Sequence, residues 1–142
     1  MMYVSGIPSS KVNDVWDRCK KFIEMGNNKS QQEMNVDDIY QKLLTTDMQL
    51  WIVFNEDAEI VSVLTTEIVI YPRVKTCRIV TLGGKDMNDW VEQFLEVLEE
   101  WALENNCEAM ETACRKGFIK KLEKFNYEHT YTILTKKLQT LQ

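Results

Sequence analysis

The stretch Thr76-Cys77-Arg78-Ile79-Val80-Thr81-Leu82-Gly83-Gly84-Lys85-Asp86-Met87 decides how this chain is read. Its first seven residues are β-branched or apolar apart from one arginine, a composition that favours a strand. Gly83-Gly84 reads as a turn. Met87, Trp90, Val91, Phe94, Leu95, Leu98, Trp101 and Ala102 then recur at helical spacing and make a wide apolar stripe. A strand that turns through glycines into a helix aims backbone N–H groups, and the positive end of the helix dipole, at the turn. Such a turn suits a phosphate or pyrophosphate. Asp86 is the expected N-cap of this helix, with Asp89 in its first turn.

Beyond the helix, Asn105-Asn106 reads as its stop. The run Cys107 to Ala113 can form a strand parallel to the one before the helix, since a crossover helix joins them. A further helix is expected over Lys116–Phe125, with Phe118, Leu122 and Phe125 facing inward, and a last strand over Tyr131-Thr132-Ile133-Leu134-Thr135. On the N-terminal side, Leu50–Phe54 and the long run from Ile60 to Tyr71 read as a hairpin through the turn Asn55–Ala58. Pro72 breaks the second strand, and the turn 72–75 brings the strand beginning at Thr76 back against it. Before these lie a short first strand and two helices. One spans about Lys11 to Met25, with Val12, Val15, Trp16, Cys19, Phe22 and Ile23 on one face. The other follows Asn35, an N-cap paired with Asp38 three residues on. The polar stretch 26–33 between the helices is expected to be a mobile loop. The resulting order predicts an α/β (α+β) domain: a mixed sheet of about six strands, antiparallel hairpin strands plus one parallel pair, with helices on both faces.

The chain has 142 residues, 44% of them hydrophobic and 27% charged, with a net charge of −5. That length and balance fit one globular domain, and neither repeat nor linker divides it. The acidic balance argues against a nucleic-acid-binding surface. No apolar run is long enough to cross a bilayer. The N-terminus lacks the basic and apolar regions of a secretory leader, so a cytoplasmic protein is expected. Cys19, Cys77, Cys107 and Cys114 show no C-x-x-C spacing and are read as reduced core residues; with His129 the single histidine, no metal site is expected.

The order of elements resembles the GNAT superfamily of acyl-CoA-dependent N-acetyltransferases, over roughly Leu50 to Leu138. Trp101-Ala102-Leu103-Glu104-Asn105-Asn106-Cys107 looks like the family's helix end, and Leu122-Glu123-Lys124-Phe125-Asn126-Tyr127 like its terminal helix-to-strand step. The run Cys77 to Met87 also looks like small GNAT-like proteins of tailed bacteriophages. The GNAT resemblance implies a strand that bulges before the long helix and splays from the next parallel strand, with the pantetheine arm of acetyl-CoA or another acyl-CoA in the gap. The cofactor-binding positions it implies are Val80, Leu82, Gly83, Gly84 and Lys85. Here the glycines are adjacent, whereas the family's pyrophosphate loop spaces them as Gln/Arg-x-x-Gly-x-Gly/Ala, so the loop is degenerate. The tyrosine that many members place on the terminal helix as an acid corresponds to Leu122, which carries no proton.

An amine acceptor must lose a proton, and a carboxylate is the usual base. Glu67 and Glu111 are the carboxylates within β-rich runs, and are the candidate catalytic residues; outward-facing surface acids are the plainer reading of both. Arg78, alone in an apolar strand, pairs internally with Glu67 or Glu111 or faces a ligand. Arg73, Lys75 and Lys85 flank that strand as a small basic rim or as solvated surface. Glu92, Glu96, Glu99, Glu100 and Glu104 are read as a solvated helix face. Two functions stay open. One is an acyl-CoA-dependent N-acyltransferase acting on a host or viral protein amine. The other is a non-catalytic GNAT-fold accessory or virion protein, with a phage or host protein as partner, in the host cytoplasm or the virion. The sequence leaves the oligomeric state open.

Overall fold

The computed structural model describes residues 1–27, 33–114 and 116–139. Strand β1 (Tyr3–Ile7) leads through a short 3-10 turn into helices α1 (Val12–Asn27) and α2 (Val36–Leu44). Three strands follow, β2 (Gln49–Phe54), β3 (Ile60–Ile70) and β4 (Lys75–Gly84). After them come α3 (Met87–Glu104), β5 (Ala109–Thr112) and α4 (Lys116–Glu123). The strands form one sheet in the order β1-β2-β3-β4-β5, antiparallel except for the β4–β5 pair, which is parallel. The expected mixed sheet with one parallel pair is present, with five strands.

The apolar patterns explain the layers. Alternation along β2–β4 splits the buried residues between two faces. On one face, Trp51, Leu64, Cys77 and Ile79 pack with Trp90, Phe94, Leu95 and Leu98 of α3 and Leu122 of α4. On the other, Leu50, Ile52 and Val63 pack with Val12, Cys19 and Ile23 of α1 and Ile39 and Leu43 of α2. Helix α2 starts on a reciprocal cap. Asn35 Oδ1 accepts from the Asp38 N–H at 2.8 Å, and Asp38 Oδ2 accepts from the Asn35 N–H at 2.9 Å. At the other end of the fold, Asn105 and Asn106 (φ 64°) close α3.

Two expectations about elements are corrected. The run Tyr131–Thr135 forms no strand; Tyr131, Ile133 and Leu134 are exposed at 70%, 61% and 90%. Strand propensity is realised only against a neighbouring edge and a buried face, and this segment has neither. Gly83-Gly84 is no turn. Both glycines lie inside β4, opposite Val63 and Ser62 of β3. The reason is packing: a Cβ on Gly83 would stand 1.8 Å from the Phe22 carbonyl oxygen of α1, and one on Gly26 would stand 2.8 Å from the Leu82 carbonyl oxygen. The two glycines let the end of α1 lie directly on the backbone of β4. The loop expected over 26–33 lies largely outside the described residues, and residues 26 and 27 complete α1.

Candidate active site

Strand β4 carries the site, because its two edges are treated differently. Toward β3 it pairs along its whole length, with one register shift: Thr65 faces Thr81, while Thr66 faces Ile79. Val80 is therefore the extra residue of a β-bulge, the place where a ladder is locally disrupted and the strand bends. Hydroxyl groups pin β4 around it. Thr65 and Thr81 share a hydrogen bond at 2.7 Å, and Ser62 Oγ donates to the Gly83 carbonyl at 2.8 Å. All three hydroxyls are buried.

Toward β5 the pairing stops at Ile79–Thr112 after four residue pairs. Thr112 Oγ1 donates to the Ile79 carbonyl at 3.0 Å, closing the ladder where the strands part. Past that point a cavity of about 330 Å³ opens between them. Its walls are β4 from Ile79 to Leu82, the Thr112–Cys114 end of β5, Trp90 and Phe94 of α3, and Phe118, Lys121 and Leu122 of α4. That volume lies within the about 300–1,000 Å³ typical of ligand pockets, and its mostly apolar walls with a few polar groups are also typical.

The strand-to-helix junction lies at one end of this cavity. The Lys85 N–H donates to the Val61 carbonyl at 3.2 Å, while the Lys85 carbonyl accepts from Trp90 Nε1 at 2.8 Å, tying the junction to β3 and α3. Asp86 turns the chain in the left-handed conformation (φ 57°), and its side chain caps no backbone N–H. Asp86 stands at the N-cap of α3 and Asp89 in its first turn, as expected, but with the glycines held in the strand the turn falls on Asp86, whose backbone conformation does not present its carboxylate to the helix. The N-terminus of α3 consequently faces the cavity without a side-chain cap from its own Asp86.

Of the positions expected to bind a cofactor, Val80, Leu82, Gly84 and Lys85 line the cavity, whereas Gly83 lies against α1. The expected basic rim does not assemble: Lys75 begins β4 and Lys85 follows its end, ~30 Å apart along an extended ten-residue strand. Among the described residues, the cations lining this cavity are Lys85 and Lys121.

Glu67 and Glu111 occupy neighbouring positions across β4, each opposite Arg78. Arg78 Nη1 donates to Glu67 Oε1 at 2.9 Å, and Arg78 Nε donates to Glu111 Oε1 at 2.9 Å. The hydroxyl of Tyr71 donates to Glu111 Oε1 at 2.7 Å and accepts from Arg78 Nη2 at 3.0 Å. Both internal pairings considered for Arg78 form at once. Burial works against the Arg78 charge, but the bonds to Glu111 and its negative charge outweigh it and hold the guanidinium above its usual range. The hydrogen bond to Glu111, with some burial, likewise raises the Tyr71 phenol. Neither glutamate lines the cavity; the cluster sits beside its start, since Arg78 and Glu111 directly precede Ile79 and Thr112.

Several site features are absent from the sequence expectations. Cys114 is exposed at the cavity wall rather than buried, because β5 ends at Thr112 and the next residues lie past the splay. Cys19, Cys77 and Cys107 are buried and free, as expected of reduced core cysteines. Desolvation pushes the Cys19 thiol up to about 11 and that of Cys77 to about 12. Leu122, at the position where the resemblance places an acid, is buried in the core beneath the cavity. Glu99, read as part of a solvated face, accepts from the Tyr127 hydroxyl at 3.0 Å. Burial and that carboxylate raise the phenol strongly. Among the described residues no cluster of potential metal ligands occurs, and no helix is long and apolar enough to cross a membrane.

No protein-family model and no curated protein matches the chain. Solved structures do. A predicted acetyltransferase from Clostridium acetobutylicum, solved with acetyl-CoA, superposes with a TM-score of 0.68 at 14% identity, covering 96% of each chain. An aminoglycoside acetyltransferase from an uncultured soil metagenomic sample, in complex with sisomicin, gives 0.68 at 11% identity over 97% of each chain. Glucosamine-6-phosphate N-acetyltransferase from Arabidopsis thaliana gives 0.68 at 11% identity, over 98% of this chain and 99% of that one. At such identities the likeness speaks for the backbone alone. With the mixed five-stranded sheet, the bulged β4 and the β4–β5 splay, it establishes that this chain has the GNAT fold.

Proposed function

We propose that this chain is an acyl-CoA-dependent N-acyltransferase with a degenerate pyrophosphate loop, related to the GNAT-like proteins of tailed bacteriophages that its Cys77–Met87 run resembles. The observation that carries the reading is the cavity opened where β4 bulges at Val80 and leaves β5. From Val80 to Gly84 the β5-facing edge of β4 has no ladder partner on that strand. An extended amide-bearing arm could pair with that edge as an added strand would. Ile79, Leu82, Trp90 and Phe94 offer apolar walls for its methylene groups. Phosphates would meet the α3 N-terminus, Lys85 and Lys121, with Asp86 and Asp89 opposing them. The residues present therefore fit the arm well and the phosphates moderately.

An acyl-CoA supplies a thioester carbonyl open to attack by an amine. The chain's own contribution is to orient that carbonyl along β4 and to hold proton acceptors nearby. Glu111 and Glu67 are those acceptors, positioned by Arg78 and, for Glu111, by Tyr71. Leu122 has no proton to give, so the α4 position that the family often uses as an acid is silent here. The acceptor proposed is a primary amine of a host or viral protein.

A second reading, a non-catalytic accessory protein, is favoured by two specific observations: both glutamates are already engaged by Arg78, and Leu122 replaces the acid. One experiment separates the readings. Purified protein is melted with acetyl-CoA and with desulfo-CoA, then mixed with acetyl-CoA and amine-bearing proteins while free thiol is followed. A ligand at about 100 times its Kd stabilises by about 2.7 kcal/mol, a shift of several degrees. The enzyme reading expects that shift plus thiol release, reduced on the order of 100-fold or more in Glu111→Gln. A shift without thiol release supports the second reading, and no shift with either ligand removes the first.

A further inference from the structure

The cavity beside β4 has two layers of wall. One is the strand edge itself, Val80 to Gly84, level with the sheet. The other lies beneath the sheet and is apolar, built from Val91, Phe94 and Leu95 of α3 together with Leu122 of α4. These four side chains are buried in the core and form cavity wall at the same time. The neutral polar side chains beside them use their hydrogen-bonding groups inside the protein. Trp90 Nε1 donates to the Lys85 carbonyl, Thr112 Oγ1 donates to the Ile79 carbonyl, and Thr81 Oγ1 shares a hydrogen bond with Thr65. Among the described residues no buried side-chain nitrogen or oxygen lacks a partner. The lower layer therefore asks a ligand for no polar group, and a polar group placed there would lose its water without compensation.

A strand added in the splay would fill that layer, because its alternate side chains would point down onto α3 and α4. The pantetheine arm of an acyl-CoA has no such side chains; its methyls and hydroxyl all lie at the phosphate end. From phosphate to sulfur it has about twelve main-chain atoms, the length of about four extended residues or ~13 Å. With its phosphates at Lys85 and the α3 N-terminus, its sulfur comes level with Thr81 and Val80. Just beyond, the Ile79–Thr112 pair closes the splay. An acyl chain longer than acetyl has no way on between the strands, but the apolar layer opens beneath it.

Building on the acyl-CoA reading above, we propose that the acyl group this chain takes is a linear saturated chain of the butanoyl-to-octanoyl class, turned under β4 into the layer between Val91, Leu95 and Leu122. There the chain replaces empty space with contact, in keeping with the close packing of protein interiors. The thioester carbonyl stays level with the strand edge, so chain length is read by α3 and α4 while the reacting end is held by β4.

The test is a calorimetric binding series with acetyl-, butanoyl-, hexanoyl- and octanoyl-CoA, with desulfo-CoA as the reference that carries no acyl chain. Each buried methylene should tighten Kd by about 3- to 4-fold, so hexanoyl-CoA should bind roughly 30-fold or more tightly than acetyl-CoA. Methyl NMR on the same samples should show Val91, Leu95 and Leu122 shifting with hexanoyl-CoA and far less with acetyl-CoA. Val91→Phe, which fills the layer from α3, should bring those two ligands to within about 3-fold of each other. Leu122→Phe should do the same from α4, and melting without ligand checks that each variant folds. Affinity that is flat or falls with chain length overturns the proposal and leaves the acyl-CoA reading standing. So does tighter binding that leaves the three methyl signals unmoved, or that both variants preserve, since the chain then lies elsewhere. No binding of desulfo-CoA or of any acyl-CoA overturns both.

Discussion

The two edges of β4 differ in how they are closed. Toward β3, nine residue pairs run from Ile70–Lys75 to Ser62–Gly84, and buried hydroxyls brace the backbone on either side of the bulge. Toward β5, four pairs end at Thr112 and the strands separate around a cavity. The first edge holds the strand rigid while the second leaves its backbone open. A cleft built from main-chain groups needs both, because an open strand edge keeps its shape only if the opposite edge and the covering helix fix it. Gly83 belongs to the fixing side, as the contact that lets α1 lie on β4.

The comparison is broken most severely at Gly83. A Cβ there meets the Phe22 carbonyl oxygen at 1.8 Å, so Gly83→Val should lift α1 from β4 and destabilise by about 3 kcal/mol or more, read by urea denaturation. Little or no loss would mean that α1 does not rest on β4 as described.

The closed and open edges can next be compared with one chemical change. Thr65→Val leaves the buried Thr81 hydroxyl without its 2.7 Å partner and should cost about 1–3 kcal/mol. Thr112→Val frees a carbonyl beside the cavity, where water can reach it, and should cost about 1 kcal/mol or less. Equal costs would erase the asymmetry between the edges.

A pH series sharpens the same picture, since Cys77 lies in the fully paired part of β4, facing α3. Its thiol is raised from 9.0 to about 12 by burial. The unfolded chain ionises first, so the stability is fully present below pH 9 and is lost as pH rises from 9 toward 12. The slope approaches about 1.4 kcal/mol per pH unit. Cys77→Val should flatten that part of a melting-temperature profile. An unchanged slope would show that the loss comes from other groups.

Much of this was legible in the sequence, for identifiable reasons. The apolar stripe from Met87 to Ala102 and the Asn35/Asp38 cap are local signals, and both correspond to the structure. A charge lying in an otherwise apolar strand pointed to an internal pair of Arg78 with Glu67 or Glu111, or to a ligand, and the structure forms both pairs. What the sequence concealed depends on tertiary contact. Adjacent glycines look alike whether they turn the chain or admit a helix, and Phe22 and Gly26 decide between these from more than fifty residues away. The bulge at Val80 has no residue signature, since Val80 and both its neighbours, Ile79 and Thr81, are alike β-branched. Cys114 looks like a core cysteine until the early end of β5 exposes it. The strand composition of residues 131–135 was visible, but that they join no strand of the described sheet was not.

The central claim is that the open edge of β4 is a binding surface for an acyl-CoA. The most direct test is amide NMR of the labelled protein titrated with acetyl-CoA and with desulfo-CoA. The account predicts saturable shifts centred on Val80–Lys85, Met87 and Thr112–Cys114, while Gln49–Phe54 of β2 stays still. Its contradiction would be a spectrum unchanged at millimolar ligand, or shifts that leave Val80–Lys85 untouched.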